Sequence, residues 1–163
     1  MKRQIRHNVF ETNSSSTHSI VITRSNENLS IPKTMKANFG EFGWECATYA
    51  DPEDKLSYLY TGIKGCYYDE PENELNRLKS MMKNFGIEVE WQENSGDFWE
   101  HGYVDHAGEL NEFIEAVLST DDTLKRFLFS DDSYILTGND NSDYDCCGVG
   151  ELSYEHDEYY KGN

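Results

Sequence analysis

Residues 13–18 combine hydroxyl side chains with a histidine, in the order Asn-Ser-Ser-Ser-Thr-His. A histidine that takes the proton of a serine hydroxyl is the basis of nucleophilic catalysis, which makes Ser15, Ser16 and His18 candidate catalytic residues. No orienting acid is identifiable within this segment. The same composition is also typical of an ordinary turn, because Ser and Asn side chains hydrogen-bond to nearby backbone.

Basic side chains flank this hydroxyl-rich segment on both sides. An arginine fork together with successive turn amides is suited to binding phosphate or carboxylate. We therefore expect an anion-binding loop rather than a serine nucleophile. The candidate residues for such a loop are Arg3, Arg6, Asn13, Ser14, Ser15, Ser16 and Arg24.

A second polar segment lies at residues 97–106 and contains His101, Asp105 and His106. Carboxylate and imidazole groups can hold a divalent metal or act as general acid and base. Asp105 and His106 would then join residues 13–18 in one catalytic site. The ligand spacing matches no standard metal motif, so we expect no cofactor and keep a divalent metal as the alternative. Asp105 as the cap of a helix that begins near residue 107 is the structural alternative.

The charge of the chain is strongly uneven. The formal net charge is -17 over 163 residues, but the first 36 residues contain six Lys/Arg and two Asp/Glu and carry +4. The other 127 residues therefore carry -21, far beyond the magnitude of about 2–8 that suits the solubility of a small domain. A field of this sign repels nucleic acids and membrane surfaces and attracts basic partners.

We accordingly expect the partner to be a basic protein that handles nucleic acid, with no direct binding to nucleic acid or membrane; the charge leaves the oligomeric state open. The chain contains no apolar run of membrane-spanning length and no apolar signal-peptide core. The four cysteines follow no metal-binding spacing, and we interpret them as reduced cytoplasmic thiols. The candidate docking carboxylates are Asp131, Asp132, Asp140, Asp143 and Asp145.

The apolar patterns predict an α+β domain with an N-terminal β-hairpin. Alternation over residues 3–11 and a β-branched run over residues 17–24 predict two strands joined by the hydroxyl-rich loop. Residues 87–91 predict a further strand, and residues 127–137 predict a second hairpin around a Ser-Asp-Asp-Ser turn.

Between these strands the sequence predicts about three helices. Residues 50–65 begin with Asp51 as a cap and Pro52 in the first turn, and a second helix starts at residue 71 and stops at Gly86. The third helix covers residues 107–119. We expect residues 1–150 to form one domain, a mixed or antiparallel sheet packed by these helices, and residues 151–163 to form an acidic, loosely ordered tail.

Three segments resemble small uncharacterised proteins of bacteriophages and mobile elements of Gram-positive bacteria. They are VFETNSSSTHS at residues 9–19, GYVDHAGEL at 102–110 and FLFSDDSYILTGNDN at 127–141. The resemblance implies a phage-type protein in the cytoplasm of an infected bacterium, and it favours an anti-defence role. It brings no established activity and no known catalytic residues.

Two function hypotheses follow from the sequence. The first is an acidic binding protein that mimics nucleic acid and inhibits a host nucleic-acid-handling or defence protein, in the manner of an anti-CRISPR protein. The second is a small hydrolase or a nucleotide- or phosphate-binding protein that uses residues 13–18 with Asp105 and His106.

Overall fold

A computed structural model of the chain describes residues 16–26, 29–43, 47–66, 71–93, 102–105, 110–139 and 157–162. In chain order its elements are β1 (Ser16–Thr23), β2 (Thr34–Ala37), β3 (Glu41–Phe42), β4 (Ala47–Tyr49), α1 (Pro52–Cys66), α2 (Pro71–Asn84), β5 (Glu88–Trp91), β6 (Tyr103–Val104), α3 (Leu110–Leu118), α4 (Asp121–Phe129), β7 (Tyr134–Asn139) and β8 (Asp157–Gly162). The α+β class predicted from the sequence is confirmed.

The largest sheet is antiparallel throughout and has the strand order β4-β7-β1-β8. Strand β1 lies inside this sheet, where Ile20, Val21 and Ile22 are all buried. A strand that is covered on both faces needs consecutive apolar residues, which the run Ile20-Val21-Ile22 supplies. This central position brings His18 next to Thr137 of β7 and Gly162 of β8.

Residues 34–42 form a second extended segment, which pairs in parallel first with β5 and then with β6. The hydrogen bonds from Glu88 N to Lys33 O and from Gln92 N to Ala37 O close the β5 side. The bonds from Tyr103 N to Gly40 O and from Asp105 N to Phe42 O continue the pairing on the β6 side. Residues 34–42 therefore bring β5 and the segment around Asp105 to one stretch of chain.

The helix ends follow the sequence signals. Asp51 caps α1 through its Oδ1, which accepts from Glu53 N at 2.8 Å, and Pro52 occupies the first helical position. Beyond α2, Gly86 has a φ of +75° and Ile87 N bonds back to Met82 O, a Schellman ending that only glycine adopts without strain. Both features were predicted and are confirmed.

One predicted element is wrong. Residues 127–129 are the last turn of α4 and not the first strand of a hairpin with residues 134–137. The Thr120 hydroxyl caps this helix by accepting from Thr123 N at 3.1 Å, which starts a helical register that buries Leu124, Phe127 and Leu128 together. The acidic Ser130–Ser133 segment therefore connects a helix to a strand.

The core forms where the helices meet the sheets. Its largest fully buried members are Tyr58, Phe113, Phe127 and Phe129, with an aliphatic set around them. The predicted apolar face of α3 is buried as expected, at Leu110, Phe113, Ile114, Val117 and Leu118.

The two ends of the chain compare differently with the sequence prediction. The first strand of the predicted N-terminal hairpin, residues 3–11, lies outside the described residues, whereas its second strand corresponds to β1. Residues 157–162, which were expected to belong to a loosely ordered tail, pair with β1 as strand β8. Within the described ranges no helix is long and apolar enough to cross a membrane.

Candidate acidic docking face

The first turn of α1 concentrates negative charge. Asp51, Glu53 and Asp54 are exposed there, at the helix end whose unpaired N–H groups favour acidic side chains. Burial raises the pKa of the Asp54 carboxyl, and the neighbouring charges of Asp51 and Glu53 raise it further. The three carboxylates therefore lie within electrostatic reach of one another.

A buried lysine links this turn to the acidic segment after α4. Lys55 is fully buried, and its Nζ donates to Ser130 O at 3.0 Å and to Ser133 O at 2.8 Å. Burial lowers the pKa of Lys55 to about 8, and the charges of Asp131 and Asp51 act in the opposite direction. Because Lys55 lies in the first turns of α1 and bonds to Ser130 O and Ser133 O, the start of α1 and the Ser130–Ser133 segment are neighbours.

A groove of about 550 Å³ extends this acidic region across the outer face of β2 and β5. Met35 and Val89 also line it. The exposed polar side chains that line it are Thr34, Lys36, Glu53, Glu88 and Glu90.

The groove has a net negative lining. Its only lysine among the lining residues, Lys36, lies 3.6 Å from the Glu90 carboxylate in an exposed ion pair. Such a pair contributes at most about 1 kcal/mol and rearranges easily. We use the term acidic face for the exposed carboxylates of this region: Asp51, Glu53, Asp54, Glu88, Glu90, Asp131 and Asp132.

The position of α1 beside the groove is fixed by hydrogen bonds from the extended segment, because the spacing of side chains on α1 matches the spacing of amides on that segment. Glu53, Ser57 and Thr61 lie on one side of α1 and accept hydrogen bonds from three alternate backbone amides. The donors are Lys36 N, Asn38 N and Gly40 N, at 2.9, 3.1 and 3.3 Å. Four helical residues rise about 6 Å and two strand residues about 6.6 Å, so the two periods coincide. Side chains of α1 thus cover the edge of β2 that does not pair with β5.

His18 occupies a different environment, inside the protein and only 2% exposed. Its Nε2 lies 2.7 Å from Asp105 O, and its Nδ1 lies 3.0 Å from the Tyr58 hydroxyl. Since a carbonyl only accepts, Nε2 carries a proton, and in the neutral ring Nδ1 then accepts from the Tyr58 hydroxyl. Gly43 packs so closely on the ring that a Cβ there would lie 2.5 Å from Nε2.

The two segments that the sequence analysis paired do meet, through this contact between His18 and Asp105. In the described contacts His18 acts as a structural bridge between β1, α1 and the segment after β6. Arg24 is exposed just after β1, and Ser16 begins that strand. Asp131 and Asp132, two of the predicted docking carboxylates, are exposed.

The other predicted site residues lie outside the described residues. They are Arg3, Arg6, Asn13, Ser14, Ser15, His101, His106, Asp140, Asp143 and Asp145. Within the described ranges, no group of three or more His, Cys, Asp or Glu side chains is arranged to hold a metal ion.

Sequence reasoning missed the contributions of α1 and β5 to the acidic face. One signal was present for Lys55, because the apolar positions Leu59 and Ile63 extend backwards by four residues to that lysine. For Glu88 and Glu90 the alternation of β5 predicted exposure, but nothing local predicted that they face Glu53 across a groove.

Comparison with known proteins adds no assignment: no protein-family model, no curated protein and no solved structure matches this chain.

Proposed function

We propose that this protein is an acidic binding protein that docks on a basic, nucleic-acid-handling host protein and inhibits it. The sequence resemblance supplies the context of a phage-type protein in the cytoplasm of an infected bacterium. The observation that carries the proposal is the acidic face, which brings carboxylates from α1, β5 and the Ser130–Ser133 segment into one region.

The physical basis is electrostatic complementarity. A partner that binds nucleic acid has a groove lined with Lys and Arg, and a surface of closely spaced carboxylates competes for the same side chains. Lys33 and Lys36 are exposed basic side chains at β2, and they offset only part of this charge. Association would be fast at low ionic strength and would weaken as salt shortens the screening length to about 8–10 Å.

The hydrolase or phosphate-binding alternative has less support. The segments around His18 and Asp105 do approach each other, which that alternative requires. However, His18 is buried, and both ring nitrogens already have hydrogen-bond partners in Tyr58 and Asp105. A general base needs a nitrogen that can reach the substrate or nucleophile.

The test is binding to purified bacterial DNA-binding effectors, including a CRISPR effector nuclease, by calorimetry at 50 and 200 mM salt. We expect at least one effector to bind and its affinity to fall by about 10-fold or more between these conditions. DNA should compete with the protein for that effector. Binding that is insensitive to salt, or no binding to any effector, would contradict the proposal.

A charge-matched pair of double variants locates the binding surface. E88Q/E90Q removes two charges from the acidic face, and E112Q/E115Q removes two exposed charges from α3. We expect the first variant to weaken binding by about 10-fold and the second by less than about 3-fold. Equal effects would mean that only net charge matters and that the acidic face is not the docking surface.

A further inference from the structure

The two edges of the β2–β5 sheet differ in their hydrogen bonding. The edge of β2 is covered by α1, whose side chains accept from Lys36 N and Asn38 N. On β5, the amides of Glu88 and Gln92 bond to the β2 side at 2.9 Å. Backbone groups alternate in direction along a strand, so the amides of Val89 and Trp91 point to the outer edge.

Among the described residues, no strand and no side chain pairs with those two outward amides. An edge strand with unpaired N–H and C=O groups is a template for another extended chain. Added strands gain main-chain hydrogen bonds that are independent of sequence, and their side chains then supply specificity. The outer edge of β5 therefore offers backbone pairing directly beside the groove.

The charges on β5 restrict which chain can pair there. Glu88 and Glu90 lie on the exposed face of the strand, and Glu53 lines the same groove. A second copy of β5 would bring carboxylates opposite carboxylates, which destabilises a strand pair. A strand with Lys or Arg at every second position would place those side chains over the carboxylates instead.

The other face of β5 is apolar. Trp91 is partly buried and packs edge-to-face on Tyr60, with ring centroids 5.2 Å apart, and the Lys79 ammonium lies 5.5 Å above the Trp91 ring. The intervening side chains of an added strand would lie beside Val89 and Trp91. Uncharged apolar residues suit these positions.

We propose that the outer edge of β5 is a docking site for an extended basic segment of the partner protein, with basic and apolar residues in alternation. The segment adds a third strand to the β2–β5 sheet by bonding to the main chain of Val89 and Trp91. This inference rests on the proposed function, because it specifies which element of the basic partner the acidic face binds.

A capped hexapeptide of alternating arginine and valine is the probe, and its glutamate–valine counterpart is the control peptide. In the free protein we expect the Val89 and Trp91 amides to exchange with solvent much faster than those of Glu88 and Gln92. The basic peptide should slow exchange at Val89 and Trp91 by about 10-fold or more, and the acidic peptide should leave it unchanged.

Two variants at one position separate backbone pairing from packing. Val89→Pro removes an outward donor while the amides that bond to β2 remain, and Val89→Ala keeps the donor but loses a similar side-chain contact. We expect V89P to weaken peptide binding by about 10-fold and V89A by less than about 3-fold. If V89P fails to fold, the exchange measurement on the unmodified protein decides.

Three results would overturn the site. In the first, the peptide binds without protecting Val89 and Trp91. In the second, only the basic effectors bind and the peptide does not. These first two results would leave the proposed docking function intact. If neither the effectors nor the peptide bound, the docking function itself would be contradicted. In the third, both amides become protected at high protein concentration without peptide, and the occupant is then a second copy of the chain.

Discussion

Two basic side chains, Lys55 and Arg126, occupy an environment opposite to that of the carboxylates on the acidic face. Lys55 and Arg126 are buried and donate to main-chain carbonyls of distant segments: Lys55 to Ser130 O and Ser133 O, and Arg126 to Thr23 O at 2.6 Å. The carboxylates of the acidic face are exposed. The two cations thus bond to the main chain of the interior, and Arg126 also pairs with the exposed Asp122 at 3.0 Å.

The two environments also differ in how much a substitution should lower the free energy of unfolding. A buried ammonium group must have acceptors, and removing it takes a strong hydrogen bond from buried carbonyls. An exposed ion pair such as Lys64–Glu72, although its atoms are 2.6 Å apart, competes with water and contributes little. The interior should therefore be sensitive to single substitutions, and the surface charges should be tolerant of them.

The largest expected effect is the loss of the buried ammonium. Lys55→Met keeps most of the side-chain volume but removes two charge-assisted bonds. Ser133 O loses this donor and Ser130 O keeps the bond from Ser133 N at 3.2 Å, so we expect about 3 kcal/mol of destabilisation. Lys64→Met, also on α1, breaks only the exposed pair with Glu72 of α2 and should cost less than about 1 kcal/mol. Urea unfolding of the two variants measures both values. Similar losses would show that burial does not separate the two lysines.

A smaller effect is expected at Gly43, whose backbone packs closely on the buried His18 ring. Gly43→Ala places a Cβ 2.5 Å from His18 Nε2 at a φ of +111°, whereas Gly86→Ala also has a positive φ but no atom within 4 Å. We expect about 1 kcal/mol of destabilisation for G86A, from the backbone alone, and about 2–3 kcal/mol for G43A. Thermal unfolding compares the two, and NMR of the His18 ring should change only in G43A. Equal destabilisation would mean that the His18 contact is easily displaced.

The smallest expected effect is a pH dependence. Because the pKa of Lys55 is about 8 in the folded protein against 10.5 for the free side chain, the folded state loses this proton first. The cost of burying the charge is fully present below pH 8 and falls as the pH rises towards 10. Relative to K55M, the unmodified protein should therefore gain about 1–2 kcal/mol of stability between pH 8 and 10. A flat or falling difference in urea unfolding would contradict the lowered pKa.

The local signals in the sequence were sufficient for most helices and failed for one hairpin. Asp51, Pro52 and Gly86 define helix ends through their own side chains or backbone freedom, so a short window contains the information. Residues 127–129 are apolar and aromatic, a composition that suits strand and helix equally. The Thr120 cap and the burial of Leu124 with Phe127 selected the helix.

The features of the candidate site also fall into two groups: those that local sequence predicts and those that depend on the fold. The charge imbalance and the exposure of Asp131 and Asp132 follow from composition and turn chemistry, which need no fold. The partnership of Glu53 with β2 depends on a helix and a strand whose periods happen to coincide along their contact. No local rule specifies which helix lies beside which strand.

The sequence by itself determined the α+β class, the helix ends and the negative charge, because each depends on residues close together in the chain or on their sum. Only the tertiary structure decided that Lys55 is buried beneath the acidic face and that His18 bridges three segments. It also decided that side chains of α1 cover one edge of β2, whereas no strand among the described residues pairs with the outer edge of β5. These features join residues tens of positions apart, and their energies come from burial and hydrogen-bond satisfaction, which exist only in the packed chain.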